Sequence, residues 1–262
     1  MTTTAETAAV RPILALDLGK YKSVACLYHA AADHQCHAFA THREASVRLL
    51  ARHRPAGVLL EACLLAGWVC DLCAAQGVPC LVANTSSEAW KFKPRKRKTD
   101  RDDALRLAEV YALGTFPSVA IPVKPVRARR ALIELRQKLV GRRVAVQNRL
   151  RAILVGQGLR APRGAAAWST AGLDGFAAHA KPLADCGPEE LWRGRLHRTL
   201  AELHQVRELE ASVAKKLDEL GKHDQATQRL ETIPGVGPRT AEAVAAFLPE
   251  PARFRTGKQV SA

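Results

Sequence analysis

The chain has 262 residues, with 40 Lys and Arg against 25 Asp and Glu and a formal net charge of +15 at pH 7. Hydrophobic residues make up 47% of it, which excludes wholesale disorder and is enough to bury a core in one or two domains. A surface this basic attracts polyanions, of which nucleic acid is the commonest. Residues 1–11 lack the basic-then-apolar order of a secretory leader and read as a disordered tail. The best candidate for a membrane span, Gly57 to Cys73, is interrupted by Glu61 and Asp71, so no membrane partner is expected. Seven cysteines scattered among core-like residues fit a reduced, cytoplasmic protein better than a disulfide framework.

In chain order, Ile13 to Gly19 is a compact apolar run ending in a turn, and Ser23 to Tyr28 and Gln35 to Thr41 follow as short strands. Arg43 to His53 reads as a helix, Gly57 to Glu61 as a buried strand, Leu64 to Gln76 as a helix, Val78 to Ala83 as a strand and Asp100 to Leu113 as a helix. Strands followed by alternating helix and strand predict an α/β domain with a mixed sheet over residues 12–115.

Residues 116–225 are helical and basic. From Arg127 to Leu154 the apolar residues Leu132, Leu135, Leu139, Val146, Leu150 and Ile153 fall at helical spacing, surrounded by Arg129, Arg130, Arg136, Arg142, Arg143 and further cations. A looser Gly/Pro/Ala stretch runs from Gly156 to Pro188, and a second long helix then carries Leu196, Leu200, Leu203, Val206, Val213, Leu217 and Leu220. Such a pair is compatible with an antiparallel hairpin, a dimerising coiled coil or ordinary intramolecular packing. Residues 226–262 hold Ile233-Pro234-Gly235-Val236-Gly237-Pro238-Arg239 and then an apolar helix, and the zone reads as cut off before it closes a domain.

Asp17 and Glu61 each end an apolar strand, where a carboxylate is costly unless a cation neutralises it. Asp100 and Asp103, three apart at a helix start, project from one face, whereas Asp102 points away from it. A set of carboxylates without a His or Cys partner makes an all-oxygen site, suited to Mg²⁺ or Mn²⁺. Taken singly, Asp17 is also a plausible turn residue, and the helix-start acids complement the helix dipole. Lys91, Lys93, Arg95, Lys96, Arg97 and Lys98 precede Asp100; beside an acidic site they become a phosphate-gripping arm, and otherwise a solvated loop. Trp90 and Phe92 flank that run as stacking candidates. The Pro-Gly-Val-Gly-Pro turn resembles a helix-hairpin-helix module, in which Gly235, Gly237 and Arg239 would face a DNA phosphate. A zinc site at Cys63, Cys70, Cys73 and Cys80 is disfavoured, because the first three are read on an apolar helix and the last on a strand. His29, His34, His37 and His42 are assigned no role.

The strand ending in Asp17, the strand ending in Glu61 and the block Lys98-Thr99-Asp100-Arg101-Asp102-Asp103-Ala104, in this order, resemble a RuvC-type, RNase H-like domain. With the Arg-rich helix and the Ile-Pro-Gly-Val-Gly block behind it, the chain resembles the DEDD transposases of bacterial insertion sequences and the related Piv DNA invertases. The resemblance runs from about Ile13 to the end and is weakest from Gly156 to Pro188. It implies a catalytic and metal-holding tetrad of Asp17, Glu61, Asp100 and Asp103, with Mg²⁺ or Mn²⁺ beside the scissile phosphate. It further implies DNA as partner, a structured guide RNA, a homo-oligomer and a serine nucleophile in the C-terminal transposase domain. That serine lies in a Ser-Gly context that is not found in this sequence, and Ser261 does not match it. The chain is therefore expected to bind metal and nucleic acid without completing recombination. The competing readings are a RuvC-like nuclease or junction resolvase, an actin-like kinase suggested only by Asp17-Leu18-Gly19-Lys20, and a non-catalytic basic nucleic-acid-binding protein.

Overall fold

The runs Leu14-Ala15-Leu16 and Val58-Leu59-Leu60 have no polar face, so strands built from them must be covered on both sides. The computed structural model, which describes residues 11–30, 32–84, 99–114, 116–248 and 250–259, covers them in that way. The chain divides into two units, Met1–Lys124 and Pro125–Ala262.

In the first unit, β1 (Ile13–Asp17), β2 (Lys22–Ala30) and β3 (Asp33–Ala40) form an antiparallel meander. Helix α1 (Arg43–His53) carries the chain across to β4 (Gly57–Glu61), parallel to β1, and α2 (Ala66–Ala75) carries it to β5 (Cys80–Ala83), parallel to β4. After α3 (Asp100–Ala112), a two-residue strand β6 (Ser118–Val119) pairs antiparallel with β5. The sheet order is β3-β2-β1-β4-β5-β6, the mixed sheet of an α/β domain that the strand and helix alternation predicted. The sequence reading did not anticipate β6, because two residues are too short to show a period.

Side-chain alternation sorts the strands onto two cores. Leu14, Leu16, Val58, Leu60 and Val82 pack with Leu50 of α1 and with Val69 and Leu72 of α2. Ala15, Val24, Cys26, Leu59 and Ala83 pack on the other face with Ala104, Leu107 and Ala108 of α3. Each fully buried leucine contributes roughly 1.5–3 kcal/mol relative to exposure, and this holds α3 flat against the sheet. Helix α2 starts at Ala66, later than expected, so Cys63 lies before it and is exposed rather than on an apolar helix face. His42, assigned no role from sequence, caps α1: its Nδ1 accepts from Ala45 N–H at 3.3 Å.

In the second unit, α4 (Lys124–Val155) and α6 (Leu191–Lys222) are the long helices. Their ion pairs run in opposite numerical order, Arg129 with Asp224 beyond the end of α6, Arg143 with Glu210 and Arg149 with Glu202, which defines an antiparallel hairpin. Val146, Leu150, Ile153 and Leu154 meet Leu196, Leu200 and Leu203 at one end, while Ile133 and Leu139 meet Val213 and Leu217 at the other. Helices α7 (Gln225–Glu231) and α8 (Pro238–Phe247) follow, and Ala246 packs in the same cluster as Ile133 and Leu217.

The stretch from Gly156 to Pro188 corrects the sequence reading, for it is folded rather than loose. It contains α5 (Thr170–Ala177), whose Phe176 is fully buried and stacks on Trp168 at 5.6 Å. Gly172 is there for close approach, since a Cβ on it would stand 2.3 Å from the Ala166 carbonyl oxygen. Among the described residues no helix is long and apolar enough to cross a membrane.

Candidate metal and nucleic-acid site

The parallel register of β1 and β4 pairs Leu16 with Leu60, so Asp17 and Glu61 close the two neighbouring strands at the same level. Ala15 and Leu59 face α3, and alternation by two puts Asp17 and Glu61 on that same face. Both are half-buried. Gly19 makes the turn after Asp17 possible, because a Cβ there would stand 2.3 Å from the Lys22 carbonyl oxygen.

The start of α3 is built by its cap. Thr99 Oγ1 accepts from Asp102 N–H at 3.3 Å as the N-cap, and its hydroxyl donates to Asp102 Oδ2 at 2.8 Å. Asp102 is thereby spent on the helix end, in agreement with its placement off the face shared by Asp100 and Asp103. Asp103 is half-buried and Asp100 exposed, one turn ahead of the buried Ala104 and Leu107. Asp17 and Asp103 each have partners in the structure.

The donor chemistry of these side chains, carboxylate oxygen throughout, fits a hard divalent cation such as Mg²⁺. Their grouping is open: among the described residues no three His, Cys, Asp or Glu side chains are gathered closely enough to hold a metal ion. The structure thus brings Asp17 and Glu61 to adjacent strand ends and does not draw Asp100 and Asp103 into a closed shell with them. Lys91, Lys93, Arg95, Lys96, Arg97 and Lys98, with Trp90 and Phe92, lie outside the described residues. The residues bracketing that segment are described: Asn84 follows Ala83, which pairs with Glu61, and Thr99 caps α3.

Among the described residues the cysteines are not gathered into such a group either. Cys70 and Cys80 Sγ atoms are 3.3 Å apart, and hydrogen bonds with Cys70 and Cys73, then burial, push the Cys80 thiol far up.

In the second unit, Ile233-Pro234-Gly235-Val236 is a type II turn, with Val236 N–H bonded to the Ile233 carbonyl at 3.0 Å and Gly235 at φ +85°. Gly237 is the N-cap of α8 and Pro238 its first residue. Arg239 pairs with Glu242 at 2.8 Å and with Asp218. Most of the α4 arginines expected on nucleic acid are likewise engaged within the protein. Arg129 meets Asp224 and Thr227, Arg130 meets the Ala246 carbonyl, Arg142 meets Glu202 and Arg143 meets Glu210. The Nε of Arg136 is buried without a hydrogen-bond partner. Sequence spacing could not expose these commitments of the α4 arginines, because their partners lie 60 or more positions away.

The first unit is thus a mixed α/β sheet with acids at adjacent strand ends, and the second unit is basic and helical. Comparison with known proteins assigns the family. A family model described as Transposase matches residues 14–157, and one described as Transposase IS116/IS110/IS902 family matches residues 227–262. The chain belongs to the IS110-type DEDD transposase family. It is 32% identical over 171 residues (63% of this chain, 48% of the relative) to a probable family 20 transposase of Pseudomonas aeruginosa. It is 27% identical over 209 residues (78% and 54%) to the transposase for insertion sequence element IS1111A of Coxiella burnetii. The chain thus spans about half the length of the curated relatives it matches. The Thermus thermophilus RuvC structure aligns at 17% identity over 41% of this chain and 99% of its own, with a TM-score of 0.29, too low to equate the folds.

Proposed function

We propose that this chain acts in transposition as the transposase or site-specific recombinase of an insertion sequence, cutting and exchanging DNA strands at a carboxylate site. The observation that carries this reading is the placement of Asp17 and Glu61 at adjacent parallel strand ends, on the face covered by α3 with its Asp100 and Asp103. Asp17, Glu61, Asp100 and Asp103 would hold Mg²⁺ or Mn²⁺. Such a cation stabilises attacking and leaving oxygens at a phosphate. The carboxylates repel one another, and a divalent cation offsets that repulsion. Backbone ladders fix Asp17 and Glu61, and the Thr99 cap fixes the helix end that carries Asp100 and Asp103. The cations at 91–98 would neutralise the DNA backbone, and the Gly235–Gly237 turn with the α8 N-terminus would present N–H groups to a phosphate. The reading further includes a structured guide RNA, a homo-oligomer of two or four copies, a cytoplasmic location and a serine nucleophile that is assigned to no residue here.

Asp17→Ala and Glu61→Ala test it, through Mn²⁺ binding followed by electron paramagnetic resonance, circular dichroism and oligonucleotide affinity. Loss of Mn²⁺ binding with fold and metal-free oligonucleotide affinity retained is the expected result. Unchanged Mn²⁺ binding would defeat the metal-site reading. The open grouping of the acids favours one second reading, a basic nucleic-acid-binding protein whose acids are structural, which predicts lost stability and no metal effect.

A further inference from the structure

Helix α6 carries Arg195, Arg198 and Glu202 at helical spacing, so they share one face. Arg142 and Arg149, two turns apart on α4, lie against that face, and both bond Glu202, at 3.2 and 2.8 Å. Between the helices runs an open groove of about 520 Å³ whose lining includes Arg149, Arg195, Arg198 and Glu202, with Leu183 and Leu191 as apolar walls.

The charge balance here differs from the rest of the α4–α6 seam. Arg143 and Arg129 each face one carboxylate, Glu210 and Asp224. The groove lining has one carboxylate, Glu202, against Arg149, Arg195 and Arg198, and Glu202 already pairs with Arg149 and with Arg142. Arg195 and Arg198 are exposed and form no ion pair among the described residues. Exposed guanidiniums spread along a helix, rather than converging on one buried point, match a repeating polyanion better than a small anion. Among the described residues no aromatic side chain lines the groove, so these offer arginines for phosphates and no platform for an unstacked base.

We propose that this groove binds the phosphodiester backbone of a double-stranded nucleic acid, with Arg195 and Arg198 as its principal contacts. The proposal rests on the nucleic-acid reading above, and it places a contact on α6, where the sequence analysis assigned none.

The test is the salt dependence of binding by the full chain, on a duplex DNA oligonucleotide and on an RNA hairpin with the same number of base pairs. Each phosphate contact on B-form DNA contributes about 0.9 to the slope of log Kobs against log salt. Arg195→Gln/Arg198→Gln is therefore expected to reduce that slope by about 1.8, and to weaken binding roughly tenfold or more at 0.1 M salt. Glu202→Gln removes the one opposing charge and is expected to act in the opposite direction, tightening binding. A purely structural role for the cluster would instead weaken binding in both variants, which overturns the proposal. An unchanged slope on both duplexes in the double variant, while the wild-type chain binds, also overturns it and leaves the nucleic-acid reading standing. A wild-type chain that binds neither duplex refutes that reading and the groove with it. Loss of slope on DNA or on the RNA hairpin identifies which backbone the groove holds.

Discussion

Asp224 ties the C-terminal helices to α4, and its replacement should be costly for reasons that can be summed. Its Oδ1 accepts from Ala226 N–H at 3.2 Å as the N-cap of α7, and its Oδ2 accepts from the Thr227 hydroxyl at 2.6 Å and from Arg129. The ion pair is largely covered, with side-chain exposures of 14% for Arg129 and 27% for Asp224. An N-cap contributes about 1 kcal/mol, and a charge-assisted bond about 1.5–3 kcal/mol. Asp224→Ala removes both and strands a half-buried guanidinium, so a loss of about 3 kcal/mol is expected. Asp224→Asn keeps the cap and loses the charge, for about 1–2 kcal/mol. Urea unfolding followed by tryptophan fluorescence measures this, in a Trp68→Phe/Trp90→Phe background that leaves Trp168 and Trp192 to report on the second unit. The pH dependence gives a second readout. Burial alone would raise the Asp224 carboxyl, but the bonds from Thr227 and Arg129 and the Arg129 charge outweigh it and hold the carboxyl below its ordinary value. A depressed folded value means the stabilisation is present above about pH 4 and is lost as pH falls through that lower value. The Asp224→Asn variant should lose this acid-sensitive component. A loss under about 0.5 kcal/mol for Asp224→Ala, or identical losses for Ala and Asn, would refute the reasoning.

Other outcomes follow from single contacts. Gly172→Ala should destabilise the second unit by about 3 kcal/mol in the same unfolding assay, because its Cβ would meet backbone atoms of Ala166 and Ala167 at 2.3–2.5 Å. Gly235→Ala should cost only about 1–2 kcal/mol: its φ of +85° disfavours a side chain, but the space around it is open. Thr99→Ala should cost about 1 kcal/mol and speed amide exchange in the first turn of α3, with the rest of the sheet unaffected. Iodoacetamide at pH 8, read by peptide mass spectrometry, should label the exposed Cys63 first and spare Cys26 and Cys80. Burial and a bond with Cys36 push Cys26 up to about 12, and the bonds with Cys70 and Cys73 push Cys80 higher still.

Where a local period or cap chemistry is strong, the sequence was sufficient. The buried strands around Asp17 and Glu61, the long stripes of α4 and α6 and the Thr-Asp-x-Asp-Asp start of α3 could all be read from it. These features depend on neighbours within a turn or two, so local order determines them. The order of motifs also carried the family. Tertiary structure decided what local order cannot express. The Gly/Pro/Ala stretch before α6 reads as loop by composition, yet it folds around Phe176 because Gly172 allows a backbone approach invisible along the chain. The arginines of α4 read as one basic face. Long-range packing instead commits Arg129, Arg130 and Arg143 to partners inside the protein, and it leaves Arg195 and Arg198 of α6, unremarked in the sequence, uncompensated beside a groove. A charge is legible from the residue type, but whether it is spent inside the fold depends on which distant carboxylate the packing brings to it.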